Sequence, residues 1–373
     1  MRDTLFITGM QRSGTTLLEK LLDAQPAVTV LSQPFPFLFL ETKRAFLRAR
    51  CGSDEPYALG HLFLERRFSA ADFAAFLAQH HLERERARQV FAEMEEYSGQ
   101  YTRLNPAAVD TVLVDDTFVP LVSALYRGLA RRDVPISGGK ETTCEEFLPH
   151  FVGEGVRCAL TIRDPRDVLA SLNHGSGPAF GGSLKPTLFN IRQWRKSVAF
   201  ALELEGRAGF HWLRYEDLVA DAAMQLQRLA EALQLGPVDR RTVTGEVHAQ
   251  DGHPWAGNSS HGERRGISSE SVGVYRRVLP PDVTRFVEAA CFAELRLLGY
   301  AMTTEERDVP EILHSFCEPY HTRTELAADA PSAENTRREV RRFELLRGAG
   351  ADDITLYFLF RRAYERLAVA VPR

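Results

Sequence analysis

Cysteine is scarce: five in 373 residues (Cys51, Cys144, Cys158, Cys291, Cys317), widely scattered and with no CxxC pair. That excludes a disulfide framework and a thioredoxin-like dithiol, and with no histidine cluster at zinc spacing no metal site is expected; scattered thiols fit a reducing cytoplasm. Long hydrophobic runs are missing too. The Met-Arg-Asp start enters an apolar strand of about five residues, too short for a signal peptide or a span, and no other stretch approaches the roughly 20 residues a membrane helix needs. Nor is there a surplus of one charge. A formal net charge of -4 gives no reason to expect nucleic acid as a partner, so any phosphate binding must be local.

What remains is 44% hydrophobic and 26% charged residues, the balance of a globular chain long enough for one large α/β domain with insertions or for two ordinary domains. Apolar runs at Leu5–Thr8, Val28–Leu31, Val112–Val114, Val134–Ile136, Cys158–Ile162 and Phe210–Leu213 read as strands, with helix-like periodicity between them. Such alternation predicts a central parallel sheet flanked by helices on both faces. Residues 38–50 and 69–98 read as helical, the latter with interspersed charges typical of a solvated face. Beyond Tyr300, an Ala/Asp/Ser/Pro-rich stretch leads into two amphipathic segments, 336–347 and 353–368, expected to form a helical appendage that serves as a lid or an oligomerisation element.

The most informative segment is Phe6-Ile7-Thr8-Gly9-Met10-Gln11-Arg12-Ser13-Gly14-Thr15-Thr16-Leu17-Leu18. A strand runs into a glycine-bearing loop at a helix start, where backbone N–H groups and the helix dipole favour an anion. The Gly9-x4-Gly14 spacing is that of a Walker loop, but Thr15 stands where the lysine belongs. This disfavours an ordinary ATP or GTP hydrolase. A cation comes earlier instead, at Arg12, with the hydroxyls of Ser13, Thr15 and Thr16 available to phosphate oxygens.

A second strand-turn-helix unit spans Cys158 to Ser171, with Arg163 at the strand end, Pro165 at the first helical position and Ser171 eight residues after Arg163. Arginine offers a charge-assisted, bidentate contact to phosphate and the serine hydroxyl a donor from the helix side.

The first loop resembles the 5′-phosphosulfate loop of sulfotransferases that use 3′-phosphoadenosine-5′-phosphosulfate (PAPS), and the Arg163/Ser171 pair resembles that family's 3′-phosphate element. The resemblance covers about residues 1–40 and 134–300. It implies a P-loop-like sulfotransferase fold over 1–300 with a helical insertion at about 41–130, followed by a C-terminal extension at 301–373. It also implies transfer of a sulfuryl group from PAPS to an alcohol or phenol, leaving 3′-phosphoadenosine-5′-phosphate (PAP), with no metal required. By the same likeness Tyr215, in Tyr-Glu-Asp-Leu, lies near the nucleotide, Arg265 beside Gly266 closes over the 3′-phosphate with Arg264 and Arg276 as alternatives, and Trp194 is a minor candidate. Arg12 and Lys140 are expected to neutralise charge on the moving group.

The acceptor hydroxyl needs a proton acceptor. Relatives resembling tyrosylprotein sulfotransferases carry a glutamate in the segment corresponding to Ser32-Gln33-Pro34, and this chain has Gln33 there, which cannot take a proton. Glu141, beside Lys140, is the first substitute, with Glu41 and His174 after it. The absence of a charged groove favours a small-molecule acceptor, and Pro34–Leu40 could line an apolar pocket for it. Two other classes stay open: a P-loop small-molecule kinase, and a nucleotide-binding scaffold whose catalysis has decayed.

Overall fold

In a computed structural model, the described residues are 3–52, 68–95, 105–175, 184–243, 247–248, 253–255, 257, 266–320, 332–350 and 353–371. Five strands form one sheet in the order β2-β3-β1-β4-β5: β1 (Thr4–Thr8), β2 (Val28–Ser32), β3 (Ile136–Lys140), β4 (Arg157–Ile162) and β5 (Phe210–Arg214). Every pairing is parallel. This is the α/β architecture that the alternation of strand and helix predicts.

Side-chain alternation along β1 sorts the core into two layers. Leu5 and Ile7 join a cluster with α1 (Thr15–Asp23), whereas Phe6 points the other way into a larger aromatic cluster. That second layer is built between β2 and β3 by α2 (Pro36–Cys51), α3 (Ala70–Leu77), α4 (Arg84–Glu95), α5 (Pro106–Val112) and α6 (Phe118–Gly128), and by α7 (Leu148–Gly153) before β4. Phe39 packs edge-on against Phe118, Phe147 and Phe151, and each such aromatic pair adds about 0.5–1.5 kcal/mol beyond the area it buries.

Three sequence-based expectations are corrected here. Val112–Val114 is not a strand: Val112 ends α5, where Asn105 caps the helix and Pro106 starts it. The apolar run at Val134–Ile136 points to a strand that begins only at Ile136 and then continues through Ser-Gly-Gly-Lys. Glycine normally weakens strands, but a Cβ at Gly138 would sit 2.3 Å from the Leu5 carbonyl oxygen and one at Gly139 would sit 2.3 Å from the Tyr126 ring. Close neighbours, not turn propensity, account for this pair. The helix expected over 69–98 divides into α3 and α4, the former opened by a Ser69/Asp72 capping box.

After β4 come α8 (Pro165–Asn173) and α9 (Thr187–Leu204), and after β5 come α10 (Tyr215–Ala220) and α11 (Ala222–Leu233). Helices α12 (Tyr275–Val278), α13 (Pro281–Ala290), α14 (Phe292–Leu297), α15 (Val309–Ser315), α16 (Ala333–Leu346) and α17 (Arg361–Ala370) complete the chain. The stretch expected as one helix over 353–368 has only a short 3-10 turn, Ile354–Leu356, before α17 starts at Arg361.

Helix α9 is fastened on two sides by buried ion pairs. Arg192 and Arg195 reach Glu339 of α16 at 3.3 and 2.6 Å, and Lys196 reaches Glu145 and Glu146 at 3.0 and 2.7 Å. Arginines on either side hold the Glu339 carboxyl down at about 2 despite its burial. These pairs fix the rotation of α9 and so the direction of Trp194. Among the described residues no helix is long and apolar enough to cross a membrane.

Candidate functional site

The chain leaves β1 toward the α1 layer, but leaves β4 toward the α8 layer, on the opposite face of the sheet. Neighbouring strands whose loops part in this way open a crevice at their carboxyl ends, the usual ligand position of such sheets. Both sequence elements expected to bind phosphate lie at its edges.

The β1–α1 loop is held from inside. The Ser13 hydroxyl donates to the Met10 carbonyl at 2.6 Å and lies 3.0 Å from Thr161 Oγ1 on β4. Gly14 caps α1 with φ 93°, no side chain caps the helix, and no acidic residue stands in its first turn. The N–H groups there thus meet no competing carboxylate from that turn. Arg12 also has a left-handed backbone, φ 68°.

Arg163 lies directly across. Its guanidinium donates to the Arg12 carbonyl at 3.0 Å and to the Ser271 carbonyl at 2.5 Å, and lies over the Tyr215 ring at 4.9 Å. The Tyr215 hydroxyl is 2.6 Å from Ser271 Oγ, and the ring fills the space a Gly14 side chain would need. From the loop, Arg12 Nε donates to Ser171 Oγ of α8 at 2.8 Å. Arg12, Ser13, Gly14, Thr15, Thr16, Arg163, Ser171 and Tyr215 are therefore one constellation, assembled from the β1–α1 loop, the start of α1, the end of β4, α8 and α10.

Its electrostatics suit an anion. Burial and, secondarily, the neighbouring Arg163 charge pull the Arg12 guanidinium down to about 10. Arg163 is itself only 7% exposed, and its Nε is buried without a hydrogen-bond partner among the described residues. An orphaned donor beside two close cations fits a phosphate group.

A supporting shell holds this geometry. Trp194 donates its indole N–H to the Arg163 carbonyl at 2.7 Å, so this minor candidate orients the strand end. Asp167 accepts the N–H groups of Gly273 and Tyr275 at 2.7 and 2.9 Å, tying α8 to the turn that carries Ser271. Ser271 is a contact that sequence reasoning missed, since nothing around it marks a motif. Gly266 has φ 65° and open space around it, Arg276 lies over the Tyr275 ring, and Arg264 and Arg265 fall outside the described residues.

Lys140 ends β3 and is 3% exposed; its ammonium donates to Gln33 Oε1 at 3.3 Å. Because Gly139 faces Tyr126, strand alternation turns Lys140 to the α1 side and Glu141 to the aromatic side. There Glu141 accepts the Phe35 N–H at 2.6 Å, and burial raises its carboxyl to about 8. At neutral pH it is thus mostly a protonated acid that pins the turn after Gln33. Glu41 bridges Arg48 and Arg86 at 2.8 and 2.9 Å, which makes it a tie between α2 and α4. His174 lies one turn past Ser171 with a ring nitrogen 2.6 Å from the Tyr320 hydroxyl, and burial lowers its pKa, which keeps it neutral.

The Glu141 shift makes a stability prediction. A carboxyl raised from 4.5 to about 8 favours the fold while protonated, so that contribution is full below the unfolded value and lost as pH rises through about 8. Glu141→Gln keeps an acceptor for Phe35 and cannot ionise. Its stability relative to the parent should rise by on the order of 2 kcal/mol between about pH 6 and pH 9, read from thermal melts. Parallel pH curves for the two proteins would contradict the assignment.

Comparison with known sequences finds a similarity over the N-terminal part of the chain. Residues 4–112, less than a third of the chain, match a family described as Sulfotransferase family. The similarity is confined to this segment. It contains the whole β1–α1 loop, Gln33 and Glu41, but neither Lys140 nor Arg163.

No curated protein matches the chain. Among solved structures, a sulfotransferase domain from the curacin biosynthetic pathway is 16% identical over 81% of this chain and 99% of its own, with a TM-score of 0.44. A sulfotransferase domain from the Synechococcus PCC 7002 olefin synthase is 16% identical over 74% of this chain and 88% of its own, TM-score 0.39. Retinol dehydratase in a complex with retinol and PAP is 15% identical over 82% and 84%, TM-score 0.33.

Proposed function

We propose that this chain is a PAPS-dependent sulfotransferase that acts on a hydroxyl of a small molecule. The observation that carries the reading is the convergence of half-buried Arg12 and buried Arg163, the first joined to Ser171 and the second to the Arg12 carbonyl and the Tyr215 ring, at the uncapped start of α1. The residues fit a nucleotide with two anionic ends. Arg163 and Ser171 would hold a 3′-phosphate, with Arg265 and Gly266 closing over it. The loop N–H groups, Arg12, Thr15 and Thr16 would hold the phosphosulfate, whereas Ser13, expected from the sequence to contact it, spends its hydroxyl and N–H on the Met10 carbonyl and shapes the loop. PAPS brings an activated sulfuryl group, and the protein's task is to align it and to neutralise charge as the sulfur–oxygen bond to PAP breaks.

In this reading Lys140 and Arg12 face the developing charge, and Gln33 orients the Lys140 ammonium by accepting its hydrogen bond. Glu141 is reassigned from proton acceptor to the residue that positions the Gln33–Phe35 turn. His174, neutral and one turn from Ser171, is the better-suited proton acceptor for the hydroxyl.

The test is calorimetric titration with PAP, ATP and adenosine 5′-phosphosulfate. PAP should bind most tightly by at least tenfold, because it alone of the three carries a 3′-phosphate, and magnesium should not be needed. Preferential, magnesium-dependent binding of ATP would replace this reading with the kinase. Tight PAP binding without transfer to any hydroxyl acceptor would leave a scaffold.

A further inference from the structure

Helix α9 carries a polar side chain that is buried and unused. Asn190 is 3% exposed, and both polar atoms of its carboxamide, Nδ2 and Oδ1, are buried without a hydrogen-bond partner among the described residues. The buried polar groups around it on the helix are engaged: Thr187 with Glu318, Arg192 and Arg195 with Glu339, Trp194 with the Arg163 carbonyl, and Lys196 and Ser197 with Glu145. An unpaired donor and an unpaired acceptor on one buried group mark a place for a ligand or for water.

Helix geometry gives the direction of this carboxamide. Asn190, Trp194 and Ser197 stand at i, i+4 and i+7 on one stripe of α9. Trp194 bonds to Arg163, just past the end of β4, and Ser197 to Glu145, in the 3-10 turn Glu145–Phe147 that follows β3. Strand β1 lies between β3 and β4, so the stripe passes across the end of β1, whose loop carries Arg12. Because β5 follows α9 and runs parallel to β4, the helix carries the chain back from the carboxyl to the amino edge of the sheet. Asn190, four residues before Trp194, therefore stands about 6 Å farther out along the helix, beyond the carboxyl edge where the crevice opens.

We infer that Asn190 is a specificity-determining residue for the acceptor: its carboxamide binds a second, non-reacting hydroxyl, so that diols and polyols are favoured over molecules with a single hydroxyl. The inference rests on the sulfotransferase reading and names the acceptor class within it. A carboxamide offers a donor and an acceptor side by side, and one hydroxyl can satisfy both. The hydroxyl that reacts must give up its proton and attack with a lone pair, whereas a neighbouring one keeps both bonds. A mono-ol leaves the carboxamide unpaired, and sites built around such a bond reject the analogue that lacks it.

The experiment compares sulfation from PAPS of 1,2-octanediol with 1-octanol, and of catechol with phenol, by the parent, Asn190→Leu and Asn190→Ala proteins. Calorimetry measures PAP binding by each. In the parent, kcat/KM for the diol should exceed that for its mono-ol by at least about tenfold in one pair. In both variants that ratio should fall to within about threefold of unity, with PAP affinity within about threefold of the parent's. Where turnover is too slow to read, melting temperatures with PAP and each probe make the same comparison: the diol should stabilise the parent more than the mono-ol does, and the variants equally.

A parent with no diol preference by either readout, or a preference that both variants keep, overturns the inference and leaves PAP binding intact; Asn190 then holds water. Variants that lose PAP affinity overturn it as well, since Asn190 then serves the contact between Trp194 and Arg163. If the leucine variant does not fold, the alanine variant decides, because alanine suits a helix interior and leaves the same bonds unmade. A parent that does not bind PAP removes the sulfotransferase reading, and the inference falls with it.

Discussion

Replacing Arg163 by alanine is expected to weaken PAP binding by roughly 100-fold or more, since truncating a buried, charge-assisted contact costs about 2–5 kcal/mol. Three things are lost together. The proposed 3′-phosphate site loses its buried cation; the bonds to the Arg12 and Ser271 carbonyls, at 3.0 and 2.5 Å, disappear; and Tyr215 loses the guanidinium over its ring. Arg163→Lys should recover little of the loss, because a point-charge ammonium cannot span both carbonyls and still face a phosphate as the planar fork does. Binding of adenosine 5′-phosphosulfate, which has no 3′-phosphate, should change far less than binding of PAP. Isothermal titration with both ligands reads the difference, and a PAP affinity within about threefold of the parent's would remove Arg163 from the site.

The contrast between the two halves of this constellation shows what a sequence can carry. Arg12 through Thr16 and Arg163 with Ser171 were legible because local spacing dictates their geometry: a strand end, a turn and a helix start fix where each side chain goes. Contacts that depend on chain segments far apart were not. Ser271 meets Tyr215 across 56 residues and Tyr320 meets His174 across 146, and neither residue type announces a partner. Strand β3 was obscured for a different reason. The apolar run that marks it stops at Ile136, and the strand continues through Gly138 and Gly139, which fit against the Leu5 carbonyl and the Tyr126 ring, neighbours that exist only once the sheet and α6 have packed.

The same missing register hid the difference between Lys140 and Glu141. Adjacency in sequence is what makes Glu141 the first candidate proton acceptor beside Lys140. The strand runs through Lys140, so successive side chains take opposite faces and the two groups enter different environments. Lys140 stays beside α1 and Gln33; Glu141 goes to the Phe35 and Tyr126 side, where desolvation holds its proton.

Gly14→Ala is expected to cost more than any other single methyl in this site. Gly14 has φ 93°, where an L-residue pays roughly 1–2 kcal/mol, and its added Cβ would lie 2.3 Å from Tyr215 Cδ2. The ring must then move, which breaks the 2.6 Å contact of its hydroxyl with Ser271 and withdraws it from Arg163. Loop N–H groups and the 3′-phosphate cation are displaced by one change, so PAP affinity should fall by at least about 100-fold, along with a lower melting temperature. A double-mutant cycle separates the two causes. In a Tyr215→Ala background there is room for the methyl, and only the backbone penalty remains, so the added effect of Gly14→Ala on PAP affinity should shrink by tenfold or more. If instead the two effects simply add, Tyr215 is not what the glycine makes room for, and the loop is held by its backbone alone.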